Sequence, residues 1–240
     1  MNPAEVGLIF ILGMLAGMAA NQVATRLPLH LYRMWLGEAQ ELLGVTESQP
    51  VIHDLQKPQP TSRQWIIAGA CGLLSAGVAL QFGLSLEAGA IIALTWVLLV
   101  LALIDADHKL LPDVIVLPLL WAGLLLNQFN VLASSADALW GAISGYMSLW
   151  TVYWAFRLLT GKEGLGHGDF KLLGALGAWG GWQILPFTVL LAVMLGSMVH
   201  FIQRGTGRAL DRSQTIAFGP YLSLAGWLCI QSPAGLFDFL

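Results

Sequence analysis

The chain has 240 residues, 57% of them hydrophobic and only 10% charged, with a mean hydropathy of +0.72 and a net charge of −3. A soluble domain carries about 25% charged residues and needs a largely polar outside, so this composition excludes a cytosolic globular enzyme, a disordered chain and a nucleic-acid binder with a basic face. It reads as an all-α polytopic membrane protein.

The first apolar run, about 6–23, follows MNPAE. That opening has no Lys or Arg, whereas a signal peptide starts with a basic region. The basic residues come after the run, at Arg26 and Arg33, which predicts a retained first span with the N-terminus outside. Residues 34–64 are the only long polar stretch, and Pro50, Pro58 and Pro60 argue against a continuous helix there. Residues 25–64 are therefore expected as a cytoplasmic loop or small subdomain within a single membrane-embedded domain, 1–240.

Further spans are predicted at about 65–82, 87–104, 114–132 and 138–156. The run 172–202 is too long for one span of about 20 residues. Gly180-Gly181 and Pro186 divide it into a short span, 171–181, and a longer one, 184–203. A last span covers about 219–236. The count is eight, or seven if the short sixth span is not separate. All eleven Lys and Arg then fall on cytoplasmic segments: Arg26, Arg33, Lys57, Arg63, Lys109, Arg157, Lys162, Lys171, Arg204, Arg208 and Arg212. The outer loops hold only Glu5, Glu87, Asp137 and Asp238, as the positive-inside rule requires. The ten Trp suit interfacial belts. The two cysteines, Cys71 and Cys229, lie in apolar runs and form no CxxC pair.

Acidic residues beside or inside spans are costly and mark candidate sites. In LALIDADHKLLPD, Asp105 follows the third apolar run directly, and Pro112 then forces a break. In GKEGLGHGDFKLL, Asp169 follows Gly164, Gly166 and Gly168, which allow positive φ or a close approach of another segment. Both carboxylates fall at the cytoplasmic end of their spans. Two facing carboxylates share one proton, because like charges a few Å apart do not both ionise readily. One then takes a proton from water while the other donates to a scissile carbonyl.

Asp105 in IDADHKLLPD and Asp169 in GHGD closely resemble the two aspartate motifs of the type IV prepilin peptidases, the GxGD intramembrane aspartic proteases. In that family the first aspartate stands seven residues before the Pro of its PD segment, as Asp105 does before Pro112, which selects Asp105 over Asp107. Residues 19–28, AANQVATRLP, are similar to the family's first-span exit, and Phe218–Leu222, FGPYL, to its FGPFL segment. The resemblance implies an aspartic endopeptidase of the bacterial inner membrane, its active site facing the cytoplasm. It implies Asp105 and Asp169 as the catalytic pair, with Pro112, Gly166 and Gly168 in supporting places. It implies cleavage after a Gly in the basic leader of type IV prepilins or of the pseudopilins of type II secretion, with no cofactor for that step. The family's longer members also methylate the new N-terminus with S-adenosylmethionine. Many carry two CxxC pairs after the first span, and this chain has none.

Glu163 and Lys171 flank GxGD, where they either tune the aspartates, bind substrate backbone or are plain interfacial charges. His108 and His167, beside the aspartates, raise a divalent-cation site as a lesser reading. Asp107 and Asp113 read as solvated or capping residues. Two other classes compete. A small cation- or proton-coupled transporter would use Asp105 and Asp169 near the bilayer midplane. A non-catalytic assembly factor would need no aspartate pair. The partners implied are a prepilin or pseudopilin and membrane lipid; nothing points to nucleic acid or fixes an oligomeric state.

Overall fold

The computed structural model describes residues 1–44, 60–161, 166–205 and 217–232. Among them the chain is almost wholly helical, with eight α-helices and no strand. The protein is an all-α polytopic membrane protein. Four helical segments, Pro3–Leu43, Thr61–Phe82, Leu86–His108 and Trp182–Gln203, are long and apolar enough to cross a bilayer.

The chain forms two compact units, Met1–Leu84 and Ser85–Leu240. In the first, α1 (Pro3–Leu43) packs on α2 (Thr61–Phe82). Helix α1 starts at a capping box, in which Asn2 accepts from the Ala4 N–H and the Glu5 side chain accepts from the Asn2 N–H. Its contact with α2 is close because glycines line it. A Cβ at Gly13 would lie 2.7 Å from Ser75 Oγ, one at Gly17 2.8 Å from Ala68 Cα, and one at Gly72 2.8 Å from the Phe10 carbonyl. The helix does not end with the apolar run near Val23. It passes Pro28 and stops at Gly44, whose φ of 62° closes it. The polar run to Leu43 is rich in Leu, Glu, Ala and Gln, which favour helix whatever their polarity. Of the prolines expected to break this region, Pro60 caps α2, while Pro50 and Pro58 lie outside the described residues.

The second unit holds α3 (Leu86–His108), α4 (Asp113–Asn127), α5 (Ser135–Thr160), α6 (His167–Gly180), a 3-10 turn (Trp182–Ile184), α7 (Leu185–Gly205) and α8 (Gly219–Ile230). The expected break at Gly180-Gly181 is present, with Gly181 at φ 82°, so the short helix is a separate element. At 14 residues α6 is about 21 Å long, short of a hydrocarbon core of about 30 Å. It is buried on nearly every side from Asp169 to Trp179. Helix α5 reaches it backbone to backbone. A Cβ at Gly145 would lie 2.6 Å from the Leu173 carbonyl, and Gly141 faces Gly177 in the same way. The C-terminal end of α6 is tied to its neighbours. The fully buried Asn127 donates from Nδ2 to the Ala178 and Trp179 carbonyls at 2.9 Å, and its Oδ1 accepts from the Leu132 and Ala133 N–H groups. Trp179 Nε1 donates to the Leu119 carbonyl of α4 at 2.8 Å.

Because these glycine contacts meet main chain rather than a movable side-chain tip, Gly145→Ala should destabilise the protein by about 1–3 kcal/mol. Gly89→Ala, where a Cβ would meet nothing within 4 Å, should be silent. Detergent-denaturation titrations of the two purified variants against wild type check this. Equal midpoints for all three would show that the α5–α6 contact tolerates a methyl group.

Candidate active site

Asp105 sits in the last turn of α3. The helix closes just beyond it, where Lys109 adopts the left-handed conformation (φ 53°) and its N–H returns to the Asp105 carbonyl at 2.8 Å. Pro112 caps the start of α4, so the chain between the two helices is only Lys109–Pro112. Asp169 occupies the third position of α6, whose cap is Gly166. Asp105 thus stands at the C-terminal end of one helix and Asp169 at the N-terminal end of another. Both are buried, at 6% exposure each.

The two carboxylates interact. The Asp169 carboxyl is pushed up to about 7, chiefly by burial and next by the negative charge of Asp105, with a backbone hydrogen bond from Gly166 opposing the shift. Each carboxylate receives main-chain support. Gly166 donates to Asp169 from the cap of its own helix. Asp105 Oδ2 accepts the N–H of Gly219, the first residue of α8, at 2.8 Å. That partner lies in the FGPYL segment, and sequence reasoning quoted the segment without giving it a task. The available signal was Gly-Pro at the opening of an apolar run, the composition of a helix start.

The GxGD glycines serve close approach. Gly166 has φ −77°, and a Cβ on it would lie 3.2 Å from Asp169 Oδ2. A Cβ on Gly168 would lie 2.7 Å from Leu111 Cβ, so this glycine lets the segment after Asp105 press on the segment carrying Asp169. Lys171 turns from the aspartate pair to Asp113, with Nζ 2.7 Å from both carboxylate oxygens. Asp113 therefore ties α4 to α6, across a partly exposed pair worth about 1 kcal/mol or less. His167 lies against Tyr153 (centroids 4.9 Å apart) and Phe170 (5.6 Å). Among the described residues no three His, Cys, Asp or Glu side chains gather as a metal site. Glu163 lies outside the described residues.

This chain matches the type IV leader peptidase family over residues 92–201, a range holding both aspartates. It is 43% identical to a prepilin leader peptidase/N-methyltransferase of Stutzerimonas stutzeri, over 95% of this chain and 91% of that one. The corresponding protein of Pseudomonas aeruginosa is 44% identical over 92% and 88% of the two chains. That of Aeromonas hydrophila is 38% identical over 93% and 89%. No solved structure matches the chain.

The raised Asp169 carboxyl has a consequence for stability. In the unfolded chain an Asp ionises near pH 4, whereas in the folded protein this one holds its proton to about 7. Its contribution is therefore complete below about pH 4 and is lost as pH rises to about 7, by at most about 4 kcal/mol. Asp169→Asn should remove that dependence and become the more stable protein at pH 7.5. Denaturation midpoints at pH 4, 5.5 and 7.5 test this, and parallel curves for the two proteins would contradict it.

Proposed function

The chain belongs to the type IV leader peptidase family, and from that premise we propose that it removes the basic leader from type IV prepilins or related pseudopilins, with Asp105 and Asp169 as its catalytic pair. What carries this reading is a single arrangement: two buried aspartates at the ends of different helices, close enough that the charge of one raises the proton affinity of the other. That is the electrostatic condition for one proton shared between two carboxylates.

The chemistry follows. One carboxylate takes a proton from water, and the oxygen attacks the scissile carbonyl carbon. The protonated carboxyl gives its proton to the carbonyl oxygen, which forms a tetrahedral gem-diol. That species collapses as the C–N bond breaks, the leaving nitrogen takes the proton first removed from water, and the second carboxyl recovers its own. Cleavage so described needs no cofactor. A substrate with its basic leader in the cytoplasm and an apolar helix in the bilayer brings its junction to the depth of these helix ends, at the cytoplasmic face of the inner membrane. The positive-inside pattern supports that orientation. The new N-terminus is then a substrate for methyl transfer, with S-adenosylmethionine as second substrate, an activity carried in the relatives' names. No residue is assigned to that step. Within this reading, Lys171 secures α4 to α6 through Asp113 and has no direct role in bond cleavage.

Asp105→Asn and Asp169→Asn should each abolish leader removal, lowering turnover by about 10⁴-fold or more. Asp107→Asn should keep most of the activity. The assay incubates purified, inserted protein with a prepilin and reads leader loss and a methyl mass gain separately. Full cleavage by either variant of the pair overturns the assignment, and an inactive Asp107→Asn protein would move the site within IDADH.

A further inference from the structure

Gly219 lies outside the family-matched residues 92–201, yet its backbone comes within hydrogen-bond distance of Asp105 from another helix. As the first residue of α8 its N–H has no acceptor within the helix, and Pro220, next in line, carries none. The N–H goes instead to Asp105 Oδ2. The same residue has no room for a side chain. A Cβ would lie 2.7 Å from Oδ2, 3.0 Å from Cγ and 3.2 Å from Cβ of Asp105. Any substitution must displace the carboxylate or the start of α8.

The register that brings this N–H to Asp105 is set at a second point. Trp227 Nε1 donates to Thr95 Oγ1 at 2.7 Å, and Thr95 Oγ1 donates in turn to the Ile91 carbonyl. Trp227 lies eight residues after Gly219, and Thr95 ten before Asp105. Helices α3 and α8 therefore run antiparallel and are pinned at two levels about 12–15 Å apart.

We propose that Gly219 is a positioning residue for leader cleavage: its N–H fixes one oxygen of an ionised Asp105, leaving the other to take the proton of the attacking water, so that Asp105 is the base of the pair and Asp169 the acid. This rests on the assignment of the two aspartates as catalytic. The support is asymmetric. Asp105 is held from another helix, by a donor with no other acceptor. Asp169 is held within its own first turn, by the cap residue Gly166. In the first step water gives its proton to Asp105 and its oxygen to the carbonyl carbon. Asp169 gives its proton to the carbonyl oxygen, and the two carboxyls have then exchanged protonation states.

The test uses the full chain in liposomes with a synthetic prepilin. Active sites are counted by titration with a peptide carrying a hydroxyethylene isostere at the scissile bond. Gly219→Ala should lower kcat per active site about 100-fold, the effect of a displaced catalytic group, with KM changed less than about threefold. A merely structural role would reduce the number of titratable sites and leave the rate per site intact. Trp227→Phe, which removes the distant anchor without touching the pair, should lower kcat per site about 10-fold and decides the matter if Gly219→Ala does not insert. Wild-type turnover per site in Gly219→Ala, or in Trp227→Phe where only that variant inserts, overturns the proposal. Asp105→Asn, run alongside, separates the two ideas, since cleavage by that variant would remove the catalytic assignment itself.

Discussion

The contact on which the second unit depends is the one between the backbones of α5 and α6, made where Gly141 and Gly145 meet Leu173, Gly174 and Gly177. In a bilayer, helices gain little from burying apolar side chains against one another, because lipid is equally apolar. Close main-chain approach is what remains, and only glycine permits it here. Once α6 is drawn in this far it has almost no lipid face, and every polar group at its ends must find a partner inside the protein. Asn127 and Trp179 meet that demand at one end. At the other, the N–H of the cap residue Gly166 donates to the carboxylate of Asp169. Burial of this short helix and placement of that acid are thus one structural fact.

A similar economy governs α8. It has 12 residues, too few to span a membrane alone, and it leans on α3 through one side-chain bond and one backbone bond. In surroundings of low dielectric such bonds are stronger than in water, and an unmade one is costlier. Beside the 23-residue α3, the helices whose ends meet at the two acids, α4, α6 and α8, have 15, 14 and 12 residues.

Much of this was legible in the sequence, and the rest has identifiable reasons for being hidden. Hydropathy placed the helices after α1 to within a few residues, since burial in lipid is written directly in composition. The division at Gly180-Gly181 was visible because two glycines before Pro186 have few other structural uses. Spacing singled out Asp105 and Asp169. The length of α1 is not visible in polarity, because the polar residues after Pro28 are good helix formers. Lys171 gave no sign of Asp113, 58 residues away, and Gly219 none of Asp105 at a separation of 114. Such pairings belong to tertiary packing, which no local period encodes.

Helix α1 has a mechanical property that follows from its length. Forty-one residues make a rod of about 60 Å, twice the thickness of the hydrocarbon layer. Pro28 interrupts its ladder once, leaving the Ala24 carbonyl without the N–H that would stiffen that turn. The hydroxyl of Thr25 donates to the carbonyls of Asn21 and Gln22 just before the gap, a back-bond that itself favours a bend there. Compliance is therefore concentrated at a single joint. Force applied to the polar arm turns it about Pro28, and the glycine-packed segment below stays in register with α2.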